Sequence, residues 1–172
     1  MGRSNAGKSS LLNALSNSRK LAQVSSSPGK TRLLNFFDVD AKYRIVDLPG
    51  YGFAARSQAE RTEWSQMVEN FLSVRGNLTG ALLIMDIRRD WSLDETHLLE
   101  WLQTRDLPLA IALTKSDKLG KNDIQKRKAK LIKDLAIVNY SSAAIFVVSS
   151  LNRMGCKDLE DYIFKSWVVL KT

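Results

Sequence analysis

Three short apolar runs limit what this chain can fold into. They lie at 80–85, 107–113 and 144–148 and read Gly-Ala-Leu-Leu-Ile-Met, Leu-Pro-Leu-Ala-Ile-Ala-Leu and Ala-Ile-Phe-Val-Val. Unbroken apolar runs of strand length are expected where both faces of a strand are covered, as in a parallel sheet. The segments around them carry helical periodicity. Residues 94–105, 123–137 and 157–170 predict helices, and 58–75 sets Trp64, Met67, Val68, Phe71 and Leu72 along one amphipathic face. Upstream, 8–19 predicts a helix with Leu11, Leu12 and Leu15 on one side. Strands at 33–39 and 43–47 meet at Asp40-Ala41 and predict an antiparallel hairpin. Strands alternating with helices imply a three-layer α/β fold, mostly parallel with one antiparallel pair. The 172 residues are expected to form a single domain, 1–172. The one long irregular stretch, 20–31, is expected to be functional or mobile.

Open α/β sheets bind ligands at the carboxyl ends of their strands, and four sequence motifs fall there. Gly2-Arg3-Ser4-Asn5-Ala6-Gly7-Lys8-Ser9 fits G-x-x-x-x-G-K-[ST]. Its glycines let backbone N–H groups turn inward around phosphates, and the helix that follows aims its positive dipole end at the same anion. Lys8 is placed to reach the β- and γ-phosphates and the Ser9 hydroxyl to ligate magnesium. Asp47-Leu48-Pro49-Gly50 ends a predicted strand. Asp47 is expected to hold the same magnesium, through water or directly, and the Gly50 N–H can bond the γ-phosphate and so sense its presence. Taken alone, Asp-x-Pro-Gly is also a common turn.

Thr114-Lys115-Ser116-Asp117 follows the second apolar run. The Asp117 carboxylate can accept two hydrogen bonds from guanine, a donor pair that adenine lacks. The Lys115 stem is expected along the base. Val148-Ser149-Ser150 follows the third run, with backbone N–H groups expected to meet the guanine carbonyl. The bland reading, glycine- and serine-rich turns after strands, holds for each short motif singly. It does not explain four of them in this order. The implied ligands are GTP and GDP with magnesium.

These residues resemble a known family. The runs 2–15, 27–37 (Ser-Pro-Gly-Lys-Thr-Arg-Leu-Leu-Asn-Phe-Phe), 47–54 (Asp-Leu-Pro-Gly-Tyr-Gly-Phe-Ala) and 113–119 (Leu-Thr-Lys-Ser-Asp-Lys-Leu) are similar to those of EngB-type GTPases of bacterial ribosome assembly. The likeness spans nearly the whole chain. Threonine at 114 departs from the asparagine commoner there in GTPases. The resemblance implies a Ras-like P-loop fold and a role in large ribosomal subunit assembly, with effects on cell division and septation. It extends the nucleotide contacts to Gly29, Lys30, Thr31, Arg32 and Leu33 and makes Thr31 a magnesium ligand of the GTP state. The bland reading of Thr31 is a turn residue before a strand.

Such GTPases place a strand directly before the phosphate loop, yet here Met1 precedes Gly2. The expectation is a chain truncated at its N-terminus, or a gap between neighbouring strands. Tyr51 stands where Ras-like proteins carry a water-orienting glutamine, so slow intrinsic hydrolysis is expected. Asn5 occupies the position that helps hold potassium in related GTPases, with loop geometry as an equal alternative. The proposed switch comprises 25–31 and 51–57. Tyr51, Phe53, Ala54 and Ala55 either face a partner or pack onto the Trp64 helix.

The net charge of +8 raises the odds of a polyanionic partner. Lys118, Lys121, Lys126, Arg127, Lys130 and Lys133 are one candidate RNA surface, and Arg88, Arg89 and Trp91 another; a solvated face is the alternative for the first and a core anchor for Trp91. Trp64, Trp101, Trp167 and His97 are expected to be structural. The lone cysteine, Cys156, is expected to be a buried apolar residue. With no bilayer-length apolar run, a cytoplasmic monomer is expected. Two rivals stay open: a related GTPase of another pathway, such as tRNA modification or iron transport, and a non-catalytic ribosome- or RNA-binding module.

Overall fold

The computed structural model describes residues 1–16, 34–39, 43–51, 58–140 and 142–167. Along the chain run α1 (Lys8–Leu15), β1 (Asn35–Val39), β2 (Tyr43–Asp47), α2 (Gln58–Val74), β3 (Ala81–Asp86), α3 (Leu93–Gln103), β4 (Leu109–Thr114), α4 (Lys121–Ile137), β5 (Ala144–Val147) and α5 (Cys156–Ser166), with a 3-10 turn at Ser116–Lys118. The three apolar runs become β3, β4 and β5, a parallel sheet in that order. β1 and β2 pair antiparallel, Asn35 opposite Asp47 and Val39 opposite Tyr43.

Alternation along the strands sends side chains to two helical layers. Leu83, Met85, Ile111 and Leu113 share one core with α2, α3 and α4 through Val68, Leu98, Leu102 and Leu135. Ile84 and Ala112 share the other with α1 and α5 through Leu11, Leu15 and Leu159. Burying each such leucine contributes about 1.5–3 kcal/mol. The helices begin with local chemistry suited to them. Ser92 and Glu95 form a reciprocal capping box at the start of α3.

Boundaries differ for identifiable reasons. β4 starts at Leu109, not 107, because Pro108 has no N–H to give a ladder; its carbonyl accepts the Ala81 N–H at 2.8 Å instead. Trp167 is buried, and its ring lies so close to Gly80 that a Cβ there would come within 2.3 Å of it. Trp64 and Trp101 pack against the larger core from partly buried positions. His97, expected to be structural, is exposed on α3. Residues 17–19, 33, Asp40-Ala41 and 168–170 of the expected elements lie outside the described residues.

The hairpin and the parallel sheet are separate sheets, and residues 1–3 stitch them together. The Met1 amino group donates to the Leu82 carbonyl at 2.9 Å, and the Met1 carbonyl accepts the Ile84 N–H at 2.8 Å. Gly2 then bridges to Ile84 and Arg3 to Tyr51, both parallel. Beside this short segment an apolar cavity of about 200 Å³ opens, lined among others by Val39, Val46, Phe71, Leu82 and Trp167. Residues 1–3 thus bridge part of the space between the two sheets. No helix among the described residues is long and apolar enough to cross a membrane.

Candidate functional site

The phosphate-loop residues form a tight backbone turn. Asn5 and Gly7 both take positive φ, 61° and 87°. The Ala6 N–H donates to the Arg3 carbonyl at 3.1 Å, and the Leu11 N–H to Gly7 at 2.9 Å as α1 begins. Gly7 therefore caps α1 in a left-handed conformation that favours glycine. The Asp47–Gly50 segment lies directly alongside. The Ser4 N–H donates to the Tyr51 carbonyl at 3.2 Å. A Cβ on Gly50 would stand 3.0 Å from Ser4 N and 3.2 Å from Lys8 Nζ. The Gly50 backbone thus sits next to the lysine expected at the terminal phosphate.

The third motif locks onto the first, and the fourth onto the third. Thr114 ends β4 with its hydroxyl 2.6 Å from the Ala6 carbonyl and 3.0 Å from Met85 O, either of which can accept its single proton. Lys115, at φ 60°, donates from Nζ to the Asn5 carbonyl at 2.7 Å. The Ser149 hydroxyl donates to Asp117 Oδ1 at 2.6 Å and accepts from the Leu151 N–H at 3.2 Å. Ser149's hydrogen bond, helped by Lys118, holds the Asp117 carboxyl below its usual range against the opposing effect of desolvation. The Ser116 N–H reaches the Val148 carbonyl at 3.3 Å. All four motifs therefore converge at the carboxyl end of the sheet.

Within these motifs, several side chains point away from that surface. Ala6 and Val148 are buried in the α1–α5 core and Leu48 in the larger one, leaving only their backbones to serve a ligand. Pro49 is buried, and its carbonyl accepts the Trp64 indole N–H at 2.9 Å. Arg3 directs its guanidinium toward Glu95, 4.0 Å away and fully buried. Tyr51 packs on Trp64 with ring centres 5.8 Å apart, as the packing alternative expected. Burial, then the charge of Glu95, pushes its hydroxyl well above the ordinary tyrosine value. Gly29, Lys30, Thr31, Arg32 and Leu33, and Phe53 to Ala55, lie outside the described residues.

The residues present suit magnesium. Asp47, only 6% exposed, and the half-buried Ser9 offer oxygen donors, the choice of a hard divalent cation. A carboxylate so buried at a strand end is costly unless a cation faces it.

The basic surfaces are smaller than the sequence suggested. Arg127 donates to Asp90 at 2.6 Å and to the Arg88 carbonyl at 2.8 Å, and Lys130 also pairs with Asp90. Asp90 thus partly neutralises that face of α4. Arg88 is tied to Asp86, and Trp91 packs against the core with its indole N–H on Thr96 at 2.9 Å. Arg89 stays exposed. Cys156 is buried, and burial pushes its thiol up.

Sequence reasoning missed two polar residues here. Asp86 is a carboxylate ending an apolar strand, a position whose cost is itself a signal. Ser149 was read for its backbone, although its hydroxyl is what grips Asp117.

Comparison with known proteins agrees with this geometry. The family described as 50S ribosome-binding GTPase matches residues 1–115. A "Probable GTP-binding protein EngB" of Bdellovibrio bacteriovorus is 50% identical over 167 residues, spanning 97% of this chain and 80% of that protein. One of the same description from Geotalea daltonii is 44% identical over 158 residues, spanning 92% and 74%. Among solved structures, a probable GTP-binding protein EngB superposes with a TM-score of 0.75 at 22% identity, covering 96% of this chain and 95% of that one. Aquifex aeolicus Era bound to GDP and aluminium fluoride superposes with a TM-score of 0.72 at 22% identity, covering 96% and 55%. The fold is that of P-loop GTPases, and the chain belongs to the EngB-type GTP-binding proteins within the 50S ribosome-binding GTPase family.

Proposed function

We propose that the chain is a magnesium-dependent GTP switch whose slow hydrolysis times a step in large ribosomal subunit assembly in the cytoplasm, with consequences for cell division and septation. The observation that carries the reading is the bond between base loop and phosphate loop, Lys115 Nζ to Asn5 O at 2.7 Å. It fixes the group expected to read guanine relative to the group expected to read phosphate. In this reading the backbone of 2–9 cradles the phosphates, Lys8 neutralises the β- and γ-oxygens, and Gly50 reports whether the γ-phosphate is present. Gly29 to Leu33 are expected to add nucleotide contacts, and Val148 to Ser150 to meet the base. Ser9, Asp47 and Thr31 would hold the magnesium, which would offset charge on the transferring phosphoryl group.

A low rate follows from Tyr51. Its hydroxyl is buried beside Glu95 and is not placed to orient water. The left-handed backbone of Asn5 and its carbonyl bond to Lys115 support a role in loop geometry, beside the potassium role of its side chain. Equal turnover in KCl and NaCl is the result expected of loop geometry. Ribosome binding is supported by the family match and the net charge of +8. It predicts that log affinity for large subunits falls linearly with log salt.

The decisive measurement is affinity for GDP against ADP with magnesium. A preference for GDP of about 10³ or more is expected, because adenine cannot offer Asp117 the donor pair that guanine does. Equal affinities, or none, would overturn the switch and leave the non-catalytic binding module.

A further inference from the structure

Asp86 ends β3 with a carboxylate that is 3% exposed, and four donor groups from two residues converge on it. Arg88 reaches Oδ1 through Nε at 2.9 Å and through its backbone N–H at 3.1 Å, and reaches Oδ2 through Nη2 at 2.6 Å. The fourth donor is Lys115, whose Nζ lies 3.1 Å from Oδ2. The sheet register makes this possible, since Asp86 pairs with Thr114, the residue before Lys115. The same ammonium donates to the Asn5 carbonyl at 2.7 Å. It is therefore held between a strand-end carboxylate and the phosphate loop.

We infer that Asp86 is a positioning residue for guanine recognition, holding the Lys115 ammonium against the phosphate loop so that its methylene stem is fixed where the base is to lie. The inference rests on the proposed base site at Thr114 to Asp117. A free lysine samples many rotamers, and ordering it at the moment of binding lowers affinity. Asp86 orders it beforehand, and Arg88 orders Asp86. Stability alone does not call for this arrangement, because well-packed apolar groups commonly serve as well as buried ion pairs.

The test is a double-mutant cycle read as GDP affinity and thermal melting. Asp86→Asn is expected to weaken GDP binding about tenfold, the size of one charge-assisted hydrogen bond. In a Lys115→Met background the same change is expected to alter affinity by less than about twofold. Arg88→Ala, which leaves Asp86 in place, is a second route and is expected to weaken binding less. Should Asp86→Asn not fold, Asp86→Glu carries the same cycle, since its longer arm moves the carboxylate. Asp117→Asn tests the base site separately, with GDP affinity lost and xanthosine diphosphate affinity gained. If Asp117→Asn keeps GDP affinity, the base-site reading falls and the Asp86 role with it. If Asp117→Asn behaves as expected but the Asp86 change is without effect, or acts equally with and without Lys115, the positioning role alone is overturned.

Discussion

Ser149 grips the Asp117 carboxylate at 2.6 Å, so the proposed guanine reader is oriented by another loop of the fold. Ser149→Ala is expected to weaken GDP binding by about two- to tenfold, the worth of one ordinary hydrogen bond. Calorimetry of the two proteins checks it. Gly50 is constrained from outside as well. Gly50→Ala would press a methyl to within 3.2 Å of Lys8 Nζ and 3.0 Å of Ser4 N. Slower GTP turnover is expected, measured as phosphate release. Asp86 sets an acid limit. Burial alone would push its carboxyl up, but the hydrogen bonds from Arg88 and Lys115 outweigh burial and hold it well below the usual 3.8. A carboxyl lowered by folding adds stability that is complete above its unfolded value and is lost as pH falls toward the folded one. The wild type is therefore expected to lose thermal stability below pH 3.8, and Asp86→Asn to lose less over that range. Melts across that range measure the difference.

At the scale of elements, α4 shows what periodicity gives and what it withholds. Its apolar face was legible, and Leu131 and Leu135 are buried. Leu135→Ala is expected to cost about 2–5 kcal/mol by denaturant unfolding. Its basic face was also legible as charge, but not as surface. Arg127 and Lys130 turn to Asp90, a residue far away in sequence, while Lys126 and Lys133 remain exposed. Replacing Lys126 and Lys133 by Glu is expected to weaken large-subunit binding and reduce its salt slope, with stability changed by no more than about 0.5 kcal/mol. Co-sedimentation at several salt concentrations reports the first and a thermal melt the second. Local chemistry explains the late start of β4 at Pro108, while β1 begins at Asn35 and not at 33.

For the molecule as a whole, the weak place is the seam between the hairpin and the parallel sheet. Residues 1–3 bridge it with two isolated pairings beside a cavity of about 200 Å³. A strand-length apolar extension grafted ahead of Met1 would continue the pairing that Met1 begins on β3, beside an apolar lining. It is expected to raise the Tm by several degrees, a rise typical of one or two added kcal/mol. A melt with no rise would show that the seam does not limit stability.

The sequence by itself determined the order of elements, the two-faced burial of the central strands and the positions of the four motifs. Those features are local: a period of side chains, a glycine, a carboxylate after an apolar run. Only the tertiary structure decided which side chains serve those motifs. Asp86 meets Lys115 because β3 and β4 share a register, and Ser149 meets Asp117 because β5 lies beside β4. Arg3 turns to a buried glutamate on α3, and Arg127 and Lys130 of the basic stretch are drawn to Asp90. Such pairings depend on which strands and helices become neighbours, and no spacing along the chain encodes that.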